Sequence, residues 1–96
     1  MDSTIYLTNL YDIYGNLLTD KQQKYFENYY FDNLSLSEIS ENENISRNAI
    51  HKHIVDATTK LENYEKELKI YEKNKKILEF SNKLDSKLKK ELEELI

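Results

Sequence analysis

Apolar residues recur at three- and four-residue intervals along most of the 96-residue chain, and polar residues interrupt that rhythm at a few defined places. Ile5, Leu7, Leu10, Tyr11, Tyr14 and Leu18 mark one face of a first helix. This helix runs from about Ser3 to Gly15, the only glycine, and Gly15-Asn16 ends or bends it. Thr19 then caps a second helix, with Gln22 as its partner in a capping box, and Tyr25, Phe26, Tyr29 and Tyr30 supply an aromatic face. Asp32-Asn33 closes that helix.

From Leu34 to Leu61 the pattern predicts two more capped helices. Ser35 and Glu38 form the box of the first, and Leu34 and Ile39 occupy the two positions of a hydrophobic staple. Ser46 caps the second, with Ile45 and Ile50 as the staple pair. Between them lies the polar turn Glu41-Asn42-Glu43-Asn44, in which Asn44 tolerates the left-handed conformation a sharp turn needs. Small Ser40 lets the two helices approach. This is the pattern of a helix-turn-helix.

No glycine or proline follows Ser46, so the last helix is expected to run on as one long element. Ile54, Ala57, Leu61, Tyr64, Leu68, Tyr71, Lys75 and Leu78 keep alternating three- and four-residue spacings, a heptad seam with one polar interruption. Glu62 to Lys66, Glu65 to Lys69, Glu72 to Lys76 and Glu79 to Lys83 are i,i+4 pairs in the favourable order, each worth about 0.2–0.5 kcal/mol. Beyond Phe80 the phase changes to Leu84, Leu88, Leu92 and Leu95, which predicts a break at Ser81-Asn82 and a final helix from about Asn82. The fold class is therefore all-α. Residues 1–64 form a helical core containing the helix-turn-helix (35–61), and residues 65–96 form an extended dimerisation or packing segment.

The seam needs a partner, and Ile54, Leu61, Tyr64, Leu68, Tyr71 and Leu78 are its candidate packing or dimer contacts. Glu65, Glu67, Glu72 and Glu79 fall at flanking positions where a symmetric copy would repel, which disfavours a simple two-stranded coiled coil. Lys83, Lys87, Lys89 and Lys90 of the final helix would match those acids, whether that helix comes from the same chain or from a second one. Association into a homodimer is expected in either arrangement.

Composition narrows the chemistry. The chain has no cysteine and no proline, so disulfides and thiolate metal sites are absent. No run of about 18 apolar residues occurs, and the amino-terminal stretch lacks a basic region, so neither membrane spanning nor secretion is expected and the location read is cytoplasmic. His51 and His53 are two apart and fall on different helix faces, so no shared metal site is expected. One glycine cannot build a phosphate loop, and no nucleophile, histidine and carboxylate set stands out. Neither an enzyme activity nor a cofactor is expected. The eight tyrosines sit mostly at core-facing spacing and read as packing residues.

The exposed first turns of the second motif helix are the candidate nucleic-acid surface. Arg47 suits guanine or phosphate, Asn48 could pair with adenine, His51 and Lys52 lie beside them, and Ser46 and Lys60 could hold phosphates. The alternative is that these are solvent-facing residues on a packing module. Charge weighs on the choice, because Thr19 to Tyr64 carries five basic residues against eight acids. An acidic module binds duplex DNA weakly unless dimerisation concentrates its basic face. Lys66, Lys69, Lys73 and Lys76 share a face opposite the seam and read as a solvated stripe rather than an RNA site.

The order of these features resembles the bacterial YlxM family and, more distantly, the fourth region of principal sigma factors. The resemblance rests on Leu10-Tyr11-Asp12-Ile13-Tyr14-Gly15, Leu17-Leu18-Thr19-Asp20-Lys21-Gln22-Gln23, Tyr29-Tyr30, Leu34-Ser35-Leu36-Ser37-Glu38-Ile39, Ile45-Ser46-Arg47-Asn48-Ala49-Ile50 and Leu61-Glu62-Asn63-Tyr64-Glu65. It implies an all-helical cytoplasmic homodimer with a DNA-binding-type fold, associated with the signal recognition particle pathway. Its implied partners are the particle's GTPase or RNA, and its role is regulatory. Duplex DNA, bound by a transcriptional regulator, is the rival partner. The chain departs from the family where Ser40 replaces the usual Ala, Asn44 the usual Gly, and Asn48 the common Gln after Arg47.

Overall fold

Capping chemistry and apolar periodicity divide the chain into six α-helices and one 3-10 turn, seen in a computed structural model that describes residues 3–96. α1 spans Thr4–Tyr14 and tightens into the 3-10 turn Gly15–Leu17. α2 is Asp20–Tyr30, α3 Leu36–Glu43, α4 Arg47–Leu68, α5 Ile70–Ser81 and α6 Ser86–Glu93. Both expected capping boxes form, Thr19 with Gln22 and Ser35 with Glu38. Ser46 accepts from the Ala49 amide at 3.1 Å, so α4 starts where the sequence places it.

α4 is the axis of the core. One cluster joins Leu7, Leu10 and Tyr14 of α1, Leu18, Phe26 of α2, and Ala57 and Leu61 of α4. A second joins Tyr25 of α2, Ile39 of α3, and Ile50 and Ile54 of α4, with the staple residues Leu34 and Ile45 packed against it. Burying one such aliphatic or aromatic side chain contributes about 1.5–3 kcal/mol, and these two clusters clamp α1, α2 and α3 onto one rod. The Tyr11 ring stacks on Phe26 at 4.5 Å with planes 6° apart, and its hydroxyl donates to Glu27.

The expectation of one long helix fails at Lys69. Lys69 adopts the left-handed conformation at φ 55°, ψ 31°, ending α4 and starting α5 as a separate helix. The cause lies outside the segment. Glu65 turns inward, almost fully buried, and its carboxylate accepts from the Tyr71 amide at 3.0 Å and the Glu72 amide at 3.1 Å. The buried Tyr14 hydroxyl donates to Glu65 at 2.6 Å and accepts from the Ile70 amide at 3.1 Å. A free helix start leaves its first amides unbonded, and here a residue of α1 and one of α4 together supply the acceptors.

Other expectations change in detail. Glu41, Asn42 and Glu43 belong to α3, so the turn of the motif shortens to Asn44, Ile45 and Ser46. Of the four i,i+4 pairs, Glu72 and Lys76 lie within ion-pair distance at 3.4 Å, whereas Glu65 is spent on the helix cap. The upper seam is occupied by the chain's own helices, because Ala57 and Leu61 are buried by α1 and α2 and Ile54 by α2 and α3. Tyr64 lies beside Tyr14 and Tyr71 meets Tyr6 edge-on at 5.5 Å, while Leu68 and Leu78 stay exposed.

α5 ends at Ser81, whose hydroxyl donates to the Leu78 carbonyl at 2.7 Å and whose buried side chain leaves room for the turn. Asp85 caps α6 through the Leu88 amide at 3.1 Å, so the final helix begins four residues later than Asn82. α6 folds back on α5 as a hairpin. Among the described residues Lys83, Lys87, Lys89 and Lys90 form no ion pair, so the expected charge matching does not seat α6.

Candidate nucleic-acid interface

The face in question is built by the turn before α4. The Asn44 amide bonds the Ser40 carbonyl while Asn44 itself is left-handed at φ 56°, ψ 41°. The Ile45 amide donates to the same carbonyl at 3.3 Å, and the Ser40 hydroxyl donates to the Ile45 carbonyl. Ser40 therefore does more than stay small: it ties both sides of the turn. With Ile50 in the core, Ile45 packed against it and Ser46 capping, the first turn of α4 is held in one orientation.

That orientation sends Arg47, Asn48, His51 and Lys52 to solvent, with Ile50 and Ile54 on the opposite face. Among the described residues the side chains of Arg47, Asn48 and His51 make no hydrogen bond or ion pair, so their donors and acceptors are free. Lys52, exposed, pairs with half-buried Asp56 at 3.2 Å, which partly offsets its charge. Ser46 is exposed beside Arg47 and keeps its hydroxyl proton to donate outward. The Arg47 and Asn48 amides precede the capped ones and point the same way, so an anion would find donors at this helix end.

Lys60 does not join this group. It lies thirteen residues further along α4, roughly 20 Å at the helical rise, and its ammonium bonds Gln22 at 3.2 Å. Gln22 is also the partner of Thr19 in the α2 capping box, so Lys60 fastens α4 to the start of α2. His53 packs its ring edge against Tyr25 at 5.3 Å, while His51 is exposed, and no described group of three His, Asp or Glu is placed to hold a metal ion.

The surroundings are acidic. Glu38 and Glu41 are exposed on α3, and bonds from the Ser35 backbone and hydroxyl hold the Glu38 carboxyl below the ordinary carboxylate range. Glu43 is taken by Lys24 at 2.7 Å, and that bond pushes the Lys24 ammonium up. The residues that sequence reasoning missed are Tyr14 and Glu65, which set the position of the carboxy-terminal hairpin. Nothing local distinguishes Glu65 from Glu62 or Glu67, so the signal lay only in the fold.

The whole chain, residues 1–96, matches the family described as "Putative helix-turn-helix protein, YlxM / p13 like" (UPF0122). A UPF0122 protein of Malacoplasma penetrans is 48% identical, over 90% of this chain and 86% of the relative. One from Thermoanaerobacter sp. is 44% identical over 96% of this chain and 75% of its own length. A third, from Mycoplasma capricolum, is 37% identical over 90% and 76%.

Proposed function

The chain belongs to the UPF0122 family of helix-turn-helix proteins, and from that premise we propose that it is a cytoplasmic regulatory or adaptor protein of the signal recognition particle pathway. It acts by contact with the particle's RNA or GTPase rather than by reading duplex DNA. The observation that carries the choice is the poverty of charge on the motif face. The first two turns of α4 hold two cations, Arg47 and Lys52, and Lys52 already faces Asp56. A duplex reader that neutralises about 6–10 phosphates needs several more, and α3 beside this face would repel the strand. Among the described residues no helix is long and apolar enough to cross a membrane.

One observation favours the rival reading. Arg47, Asn48 and His51 present unengaged polar groups on the first turns of the second motif helix, the part that enters the major groove in helix-turn-helix proteins. Binding of the protein to the particle RNA and to random-sequence duplex DNA, at low and physiological salt, separates the two. RNA-selective binding that survives physiological salt, or altered GTP turnover by the particle's GTPase, supports the adaptor. Sequence-selected duplex binding that weakens by about 1–3 kcal/mol in Arg47→Ala makes the protein a transcriptional regulator instead.

A further inference from the structure

Lys69 is an unusual place to break a helix. Left-handed backbone costs a residue with a Cβ about 1–2 kcal/mol, and neither glycine nor proline lies between Ser46 and Ile96 to excuse it. Helical bonding resumes at once on both sides: the Lys69 amide bonds the Glu65 carbonyl at 2.8 Å, and the Lys73 amide bonds the Lys69 carbonyl at 3.0 Å. Three amides in between, those of Ile70, Tyr71 and Glu72, are turned away from the helix register. They are the three that Tyr14 and Glu65 satisfy.

We propose that the Tyr14–Glu65 pair is a latch, and that its release lets α4 and α5 join through Lys69 into one helix, swinging the α5–α6 hairpin off α1. In the joined form the three amides find the carbonyls of Lys66, Glu67 and Leu68, and Glu65 becomes free for Lys69 at i,i+4. The joined helix, residues 47–81, is about 52 Å long at 1.5 Å per residue. The latched form keeps the Tyr6–Tyr71 contact and the groove in which Asp12 and Ile13 of α1 face Tyr71, Asn74, Lys75 and Leu78 of α5. Two competing sets of the same three backbone bonds make the element two-state. One hydroxyl and one carboxylate, both from outside α5, decide between them. A partner that covers the hairpin's α1-facing side would bind only the released form and so shift the balance toward it.

The chain has no cysteine, so Asp12→Cys with Lys75→Cys places a spin label on each wall of the α1–α5 groove. The latched protein gives one short separation between the labels. Tyr14→Phe, and the near-isosteric Glu65→Gln, convert a substantial share of molecules to a long separation with helix content undiminished by circular dichroism. Adding Lys69→Gly returns the short separation, because glycine takes the left-handed conformation at little cost. A single short separation in folded Tyr14→Phe and Glu65→Gln overturns the latch. So does a long separation that Lys69→Gly leaves unchanged. Should Tyr14→Phe lose its helix content, Glu65→Gln with and without Lys69→Gly carries the same comparison.

Discussion

Asn33, Asn44 and Lys69 all hold left-handed backbone, at φ 57°, 56° and 55°. The first two are what local chemistry leads one to expect, because the short polar side chain of Asn lowers the cost of that conformation. Lys69 has no such help and is held by Tyr14 and Glu65. The same pair shows how polar groups survive burial here, since among the described residues no buried side-chain nitrogen or oxygen lacks a hydrogen-bond partner. Burial, followed by the bond to Glu65, pushes the Tyr14 phenol above its ordinary value of 10.0. Burial likewise raises Tyr6 and Tyr11, with Glu27 adding to the effect on Tyr11. A raised folded value means the folded chain holds its phenol protons more tightly than the unfolded chain. This stability is fully present below pH 10 and is lost as pH rises through the folded values. Unfolding by urea is therefore expected to become easier above pH 10. In the folded protein the tyrosinate absorbance of these three residues should lag, and in Tyr14→Phe the lagging signal should lose Tyr14 and, in molecules whose hairpin has swung off α1, the contribution of Tyr6 as well.

At the scale of the element, four helix starts are capped by their own neighbours and the junction of α4 with α5 is not. Thr19, Ser35, Ser46 and Asp85 each accept from the amide three residues on, a bond that needs only local backbone. Three of those four starts are legible from residue order, whereas the leucine stripe that begins at Leu84 masks the cap at Asp85. The glycine at the end of α1 also has a local reason, though not the usual conformational one. Gly15 lies at φ −54°, open to any residue, but a Cβ there would come within 3.0 Å of the Tyr11 ring. That ring is stacked on Phe26 and cannot yield freely. Gly15→Ala should therefore lower stability by about 1–2 kcal/mol, although Ala is the better helix former; overpacking outweighs the smaller backbone-entropy gain. Chemical denaturation reads the sign, and a more stable Gly15→Ala would show that the ring moves without cost.

The whole molecule is elongated, 53 × 26 × 25 Å, with a radius of gyration of 16.6 Å against about 12–13 Å for a compact chain of this length. The excess comes from the α5–α6 hairpin, which extends beyond the two core clusters and leaves Leu68, Leu78, Phe80, Leu88 and Leu95 exposed. We propose that a second copy covers part of this surface. Leu68→Asp is expected to lower the mass measured by light scattering from dimer to monomer while leaving the far-ultraviolet helix signal in place. A monomeric wild-type protein, or a dimer indifferent to Leu68→Asp, would remove that reading.

Residue order alone was enough for the helical class, the helix-turn-helix, its staples and the exposed set Arg47, Asn48, His51 and Lys52, because caps and apolar spacing act within a few residues. It did not separate Lys60 from that set, since only the packing of α2 on α4 brings Gln22 to its ammonium. Nor did it say which of two partners would cover Ile54 and Leu61: a heptad seam looks the same whether another chain or the chain's own α1, α2 and α3 fill it. The break at Lys69 was beyond local rules altogether. Its deciding acceptor, Tyr14, lies 56 residues from the amide it satisfies, and only the folded core brings the two together.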